Sequence, residues 1–166
     1  MPNRHLCRTI VMQSLHEWDF QQNKDIKEIL ERNMRAFEKE DVDKKYINKV
    51  AKGVIEKVAE LDDKIQKAAP AWPLDQIPPL DKTILRLSAY ELLFMDEIPP
   101  KVAINEAVEL GKTFGGENTS KFVNGVLGTL YRACDRYVPE EDEIKKRWEE
   151  LLSKIRESQE KWEKQN

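Results

Sequence analysis

The sequence is poor in the residues that crosslink a protein or anchor it in a membrane. It has only two cysteines, Cys7 and Cys134, and their spacing fits neither a metal site nor a redox motif. We therefore expect reduced thiols in a cytoplasmic protein. No apolar run approaches the roughly 18 residues that a spanning helix needs, and the first residues lead into no apolar signal core. We expect neither a membrane span nor secretion.

Sequence patterns typical of enzymes are missing as well. There is no HExxH, GxSxG, Walker loop or dinucleotide fingerprint. The two histidines, His5 and His16, fall on the opposite side of the first predicted helix from Cys7, which argues against a catalytic pair. Asp62-Asp63 and the acids of residues 140–143 could bind a divalent cation, but solvated helix ends explain them better. We expect no enzymatic activity, no cofactor and no metal.

What the chain does contain favours an all-α fold. Its six glycines and eight prolines are few for 166 residues, and strand-like alternation is scarce. Apolar residues make up 40% and charged residues 36%, enough for a core under a highly charged surface. The net charge is −3, so no overall positive field attracts nucleic acid. Any RNA binding must therefore depend on a local patch.

Hydrophobic periodicity predicts two three-helix bundles, end to end, and an extra C-terminal helix. The N-terminal bundle covers 1–69, a proline-rich joint 70–79, the C-terminal bundle 80–138 and the extension 139–166. In the first half, helices are predicted from Asn3 to Phe20, after an Asp25–Glu28 capping pair, and as one long helix from Asp43 past Ile65. In the second half they start near Leu80, after Pro99-Pro100 and at Asn118, an N-cap residue.

The extension carries a narrow apolar seam. Ile144, Trp148, Leu151, Ile155 and Trp162 follow heptad spacing, with Ser158 filling the gap. Exposed tryptophans are costly, so the seam should find a partner. Packing on its own body or pairing with a second copy, as a homodimer, is favoured over another transcription factor.

Two places could contact RNA. The basic edge of the first helix holds Arg4, His5, Arg8 and His16, although an ordinary solvated face would look the same. The turn of residues 115–122 leads into a helix N-terminus, where free N–H groups and the dipole favour an anion. Ser120 and Lys121 add donors there. Phe114 and Phe122 flank the turn, either as stacking platforms for bases or as core residues.

Four strings make the second half specific. They are LDKTILRLSAYEL at 80–92, IPPKVAINEAVEL at 98–110, FGG at 114–116 and KFVNGVL at 121–127. In these strings the chain resembles the NusB family of transcription antitermination factors, most strongly from about Leu80 to Leu130. The resemblance implies binding of boxA-type single-stranded RNA together with NusE, a small-subunit ribosomal protein. The pair would join the RNA polymerase antitermination complex and promote transcription of ribosomal RNA operons.

The resemblance also suggests residue roles. The implied RNA contacts are Arg4, His5, Arg8, His16, Phe114, Asn118, Ser120, Lys121 and Phe122. The implied NusE contacts are Asp81, expected to cap its helix, with Ile84 and Leu85. The first helix has fewer arginines than the family often shows, which predicts weaker RNA binding with a shallower salt dependence. The alternative is a helical adaptor on the same fold that binds protein and has lost RNA binding.

Overall fold

All regular secondary structure in the described part of the chain is helical, as expected. The computed structural model describes residues 2–21 and 23–166, and it leaves out the side chain of residue 141. Met1 and Gln22 of the predicted first bundle, and the Glu141 side chain of the acidic turn, lie outside it. In that part the α-helices are α1 (Arg4–Phe20), α2 (Ile26–Arg35), α3 (Lys44–Glu56), α4 (Val58–Ala68), α5 (Pro79–Phe94), α6 (Pro100–Phe114), α7 (Glu117–Arg132) and α8 (Pro139–Gln165), with a short 3-10 helix at Leu74–Gln76.

The helices divide into two compact units. The first unit ends at Cys134, and the second is Asp135–Asn166. Among the described residues, no helix is long and apolar enough to span a membrane.

Side-chain caps start the first three helices. The side chain of Asn3 accepts a hydrogen bond from the Leu6 N–H at 3.0 Å, so α1 begins one residue after the predicted start. Asp25 caps α2 through the N–H of Lys27, and Asp43 caps α3 in the same way. Each cap satisfies one of the donors that a helix start leaves unpaired.

The long helix predicted after Asp43 is in fact two helices. Lys57 leaves the helical conformation at φ −107° and ψ 16°, and α4 starts at Val58. The prediction was wrong because the apolar stripe continues through Leu61 and Ile65 and hides the break. The Lys57 ammonium lies 4.7 Å from the centre of the Phe94 ring. Beyond the break, α4 packs against α5 and α7, which belong to the C-terminal half of the chain. The division at residues 70–79 stays a prediction.

The core of the first unit is built around α5. This helix packs against α1, α3, α4, α6 and α7, and all of its residues from Thr83 to Leu92 are buried. A helix that is buried on every side needs apolar residues around its whole circumference, as this one has. It also carries Arg86 and Glu91, two charges that must find partners inside the fold.

Gly53 lets α3 approach α5 closely. A Cβ at residue 53 would overlap the ring of Tyr90. We therefore expect Gly53→Ala to lower the free energy of unfolding by about 1–3 kcal/mol, the usual cost of overpacking a core. Chemical denaturation of the purified chain measures this.

Gly125 on α7 is the matched control. An added Cβ there meets no described atom within 4 Å. Gly125→Ala should stabilise the protein by about 0.5–1 kcal/mol, because glycine is costly inside a helix. Equal effects of the two substitutions would contradict the close approach of α3 and α5.

Candidate nucleic-acid interface

Two of the basic residues predicted on α1 lie at its exposed start. The Arg4 guanidinium stacks 4.1 Å from the centre of the Tyr46 ring and lies 3.5 Å from Asp43. The ring nitrogen Nδ1 of His5 lies 3.0 Å from a carboxylate oxygen of Glu106 on α6. Both side chains are about half exposed, at 44% and 49%. They are oriented by their partners yet still accessible to a ligand.

Arg8 is placed differently. It is only 4% exposed, which corrects the expectation that it lies on the solvated basic edge. Its guanidinium donates two-pronged hydrogen bonds to Glu91 of α5 at 2.9–3.1 Å. The Tyr46 hydroxyl donates to the same carboxylate. Arg8 therefore closes a buried network between α1, α3 and α5.

Arg8 and Tyr46 keep their protons within this network. Burial by itself lowers the pKa of Arg8, but the hydrogen bond and charge of Glu91 outweigh it and raise that pKa overall. Burial, followed by the charge of Glu91, raises the pKa of Tyr46, so its hydroxyl keeps the proton that it donates.

The sequence pattern did not identify Glu91 or Tyr46, although these two residues determine the position of Arg8. A sequence signal did exist. Glu91 is a lone carboxylate near the end of the apolar run Leu87 to Leu93, and a buried carboxylate requires a cationic or donor partner. The sequence could predict that a partner exists, but it could not show that Arg8, 83 positions earlier, is that partner.

The turn before α7 is the second part of the candidate interface. Gly116 has a positive φ of 92° and is the residue that flanks the helix start, so α7 begins at Glu117. Asn118 is therefore not the N-cap, because glycine allows the chain to turn two residues earlier. Within the described residues no side chain caps this start, which leaves its backbone donors available to an anion.

The polar side chains of this turn differ in their exposure to solvent. Asn118 and Lys121 are exposed. The Lys121 ammonium lies 3.3 Å from the Glu117 carboxylate, which offsets part of its charge. Ser120 is 4% exposed, and its hydroxyl donates to the Glu117 carbonyl at 2.8 Å. The expected Ser120 donor is thus turned into the protein.

Aromatic rings border the turn on both sides. Phe114 is 40% exposed at the end of α6, which places it outside the core. Phe122 is half-buried and packs edge-on against Trp72, with ring centres 6.1 Å apart. Trp72 is 53% exposed and was missed by the sequence analysis, although a tryptophan within a proline-rich segment is a usable signal. These three rings offer apolar faces next to the uncapped start of α7.

His16 lies further along α1. It is half-buried and packs edge-on against Phe20, with ring centres 5.1 Å apart. Its Nδ1 atom is buried and has no hydrogen-bond partner among the described residues. Phe20 itself is 66% exposed, so the end of α1 adds a further accessible ring.

The first turn of α5 holds the end of α1 and the start of α7 together. Asp81 accepts a hydrogen bond from the Thr119 hydroxyl of α7 at 3.0 Å. Its neighbour Lys82 lies 3.3 Å from the Asp19 carboxylate of α1. Two adjacent residues therefore anchor the two predicted contact regions on one helical turn.

The residues predicted to contact a protein partner are mostly inside the core. Ile84 and Leu85 have no exposed surface, which corrects the expectation that they lie on a partner-facing surface. Asp81 is 7% exposed and lies in the first turn of α5, after the flanking residue Pro78, so it is not the N-cap. Burial raises the pKa of Asp81, and the Thr119 hydrogen bond offsets only part of that rise.

Of the acids that could bind a cation, Asp62 and Asp63 are engaged in ion pairs. Asp62 receives two hydrogen bonds from Arg86 at 2.8 Å, and Asp63 lies 2.9 Å from the Lys67 ammonium. No cluster of three or more potential metal ligands occurs in the described part of the chain.

Known proteins match most of this chain. The model of the NusB family matches residues 5–132. The transcription antitermination protein NusB of Clostridium novyi is 39% identical over 137 residues, covering 79% of this chain and 99% of that protein. NusB of T. maritima superposes with a TM-score of 0.72 at 33% identity, over 86% of this chain and 99% of that one. The antitermination factors NusB and NusE in complex with dsRNA include a chain that matches in fold, with a TM-score of 0.70 at 24% identity, over 79% and 97%.

The buried position of Arg8 predicts a stability defect. Arg8→Ala leaves the Glu91 carboxylate buried without its cation, which should lower the free energy of unfolding by about 3–5 kcal/mol. Arg4→Ala, on the same helix but exposed, should change it by less than about 0.5 kcal/mol. Urea denaturation distinguishes the two, and a mild effect of Arg8→Ala would contradict the buried network.

The raised pKa of Asp81 predicts a pH effect of definite sign. The folded protein holds this proton more tightly than the unfolded chain, so the contribution of Asp81 to stability falls as pH rises from 3.8 through the folded pKa. Asp81→Asn removes that loss. The melting temperature of the variant minus that of the parent should increase from about pH 4 to neutrality. A constant or decreasing difference would contradict the raised pKa.

Proposed function

The chain belongs to the NusB family, and from this membership we propose that it is a transcription antitermination factor that binds boxA-type single-stranded RNA together with NusE. The observation that supports the proposal best is the turn before α7. An uncapped helix start, the exposed Lys121 and the exposed ring of Phe114 lie within eight residues of one another. A phosphate and an unpaired base could bind side by side there.

The residues of the candidate interface then have different roles in RNA binding. Arg4, His5, Asn118 and Lys121 are exposed and supply the polar contacts. Phe114 and the pair Phe122–Trp72 supply stacking surfaces, and His16 with Phe20 extends them along α1. Arg8 and Ser120 act from inside the fold by fixing α1 and the start of α7. With few exposed cations, the RNA affinity should depend on stacking more than on phosphate charge.

We propose that NusE binds beside the first turn of α5. The NusB–NusE complex with dsRNA includes a chain with this fold, and the resemblance implied a contact near Asp81. Since Asp81, Ile84 and Leu85 are buried, they would support this contact by fixing the turn rather than by touching the partner. The antitermination complex on ribosomal RNA operons, in the cytoplasm, is the setting that the family implies.

A protein-only adaptor is the second candidate, and one observation favours it. Arg8 is committed to Glu91, and Glu117 offsets the charge of Lys121. The charges of these two basic residues are thus partly neutralised within the protein. Such an adaptor would bind NusE but not RNA.

Titration of a boxA-type single-stranded RNA, with and without NusE, tests the proposal. We expect binding that NusE strengthens. Lys121→Ala should weaken it about 3- to 10-fold, the usual net value of one hydrogen-bonded contact, and leave thermal stability unchanged. Fluorescence anisotropy at two salt concentrations gives the affinity and its salt dependence.

Lys67→Ala is the matched control for this titration. Lys67 is as exposed as Lys121, at 72%, and pairs with an acid at the same four-residue spacing. It lines a cavity with Thr129 and Leu130, near the opposite end of α7. If neither substitution changes the RNA affinity, the turn before α7 is not part of the interface. NusE binding without any RNA binding would establish the adaptor instead.

A further inference from the structure

The second unit contains a long helix that the family comparison does not account for. The family model ends at residue 132, and α8 runs from Pro139 to Gln165. Six large apolar residues of α8 are 47–66% exposed: Ile144, Trp148, Leu151, Leu152, Ile155 and Trp162. An apolar stripe of this size on an exposed helix indicates an interaction surface.

The stripe has the spacing of a helix–helix seam. Ile144, Leu151 and Ser158 alternate with Trp148, Ile155 and Trp162 at intervals of four and three residues, which gives the two apolar positions of a heptad. Leu152 widens the stripe on one side. A seam that follows heptads faces another helix along its whole length.

Charges at the edge of the stripe select the orientation of the partner helix. Arg147, Lys154 and Lys161 border one side and are all exposed. In an antiparallel pair of α8 helices this edge would face its own copy, and the like charges would repel. In a parallel pair it faces Leu152, Gln159 and Asn166, which carry no charge. A parallel pair also places Glu140 of each copy opposite Lys145 of the other.

The charge pattern argues against an anionic surface as the occupant. Residues 139–166 contain nine acidic and seven basic side chains. The face of α8 opposite the stripe carries mostly acids, among them Glu143, Glu150 and Glu157. Helices that lie on anionic lipid carry basic residues on that polar face instead, and a phosphate backbone would be repelled by these acids.

We propose that α8 is a self-association helix that pairs in parallel with α8 of a second copy of this chain. A second copy supplies an apolar stripe of equal length and the complementary Glu140–Lys145 charges. Each tryptophan brings about 150–250 Å² of surface to be buried. Two copies with two tryptophans each, together with the aliphatic residues, approach the roughly 1,200 Å² of a specific interface.

Sedimentation equilibrium of the full chain tests the pairing. We expect a dimer whose population rises with concentration. Ile155→Asp should weaken dimerisation by at least about 100-fold, because it places a carboxylate within the apolar seam. Ser153→Asp introduces the same side chain on the far face of α8 and should leave the mass unchanged. Circular dichroism checks that both variants keep their helix.

Disulfide formation tests the orientation, in chains that also carry Cys134→Ser. Ser158→Cys should crosslink two copies on oxidation, since a parallel pair brings residue 158 of each helix together. Ser153→Cys, on the far face, should not. A monomer at every concentration, a dimer that tolerates Ile155→Asp, or a dimer that Ser158→Cys cannot crosslink would each overturn the proposal. RNA binding plays no part in these readouts.

Discussion

The first unit depends on the burial of α5 from Thr83 to Leu92. A helix surrounded by five others has no route to water for its charges, so Arg86 and Glu91 must be paired from neighbouring helices. Arg8 reaches Glu91 from α1, and Asp19 and Asp62 reach Arg86 from α1 and α4. These ion pairs fix α1, and the hydrogen bond from Thr119 to Asp81 of α5 fixes the start of α7. The geometry of the candidate interface therefore depends on the packing of the core.

This dependence explains which parts of the interface the sequence could predict. The turn before α7 is local, and its glycines, donors and rings are neighbours in the chain, so spacing alone located it. The role of Arg8 is set by a residue 83 positions away, which no helical periodicity reveals. A rotation of about 100° per residue placed Arg8 on the same side of α1 as Arg4 and His5. The periodicity of one helix cannot show which part of its surface is covered by other helices.

The same reasoning applies to the fold. The existence of the helices followed from apolar periodicity at nearly every segment, because most of them bury one face. The break at Lys57 did not, since the stripe runs on through Leu61. Likewise, Ile84 and Leu85 matched a family string, but strings shared by relatives mark core packing as readily as contact surfaces. Burial distinguishes core residues from contact residues. Ile84 and Leu85 have no exposed surface, whereas Phe114 is exposed.

The pairing of Arg8 with Glu91 has a consequence for the growing chain. During synthesis α1 is complete long before residue 91 has been added, yet its buried guanidinium has no carboxylate until α5 has emerged from the ribosome. The N-terminal half thus cannot reach its final packing as an independent early domain. Formation of the first unit becomes a late event that joins distant segments, and contacts between distant segments form slowly. Until then, α1 presents its cationic and apolar groups to whatever surrounds the nascent polypeptide.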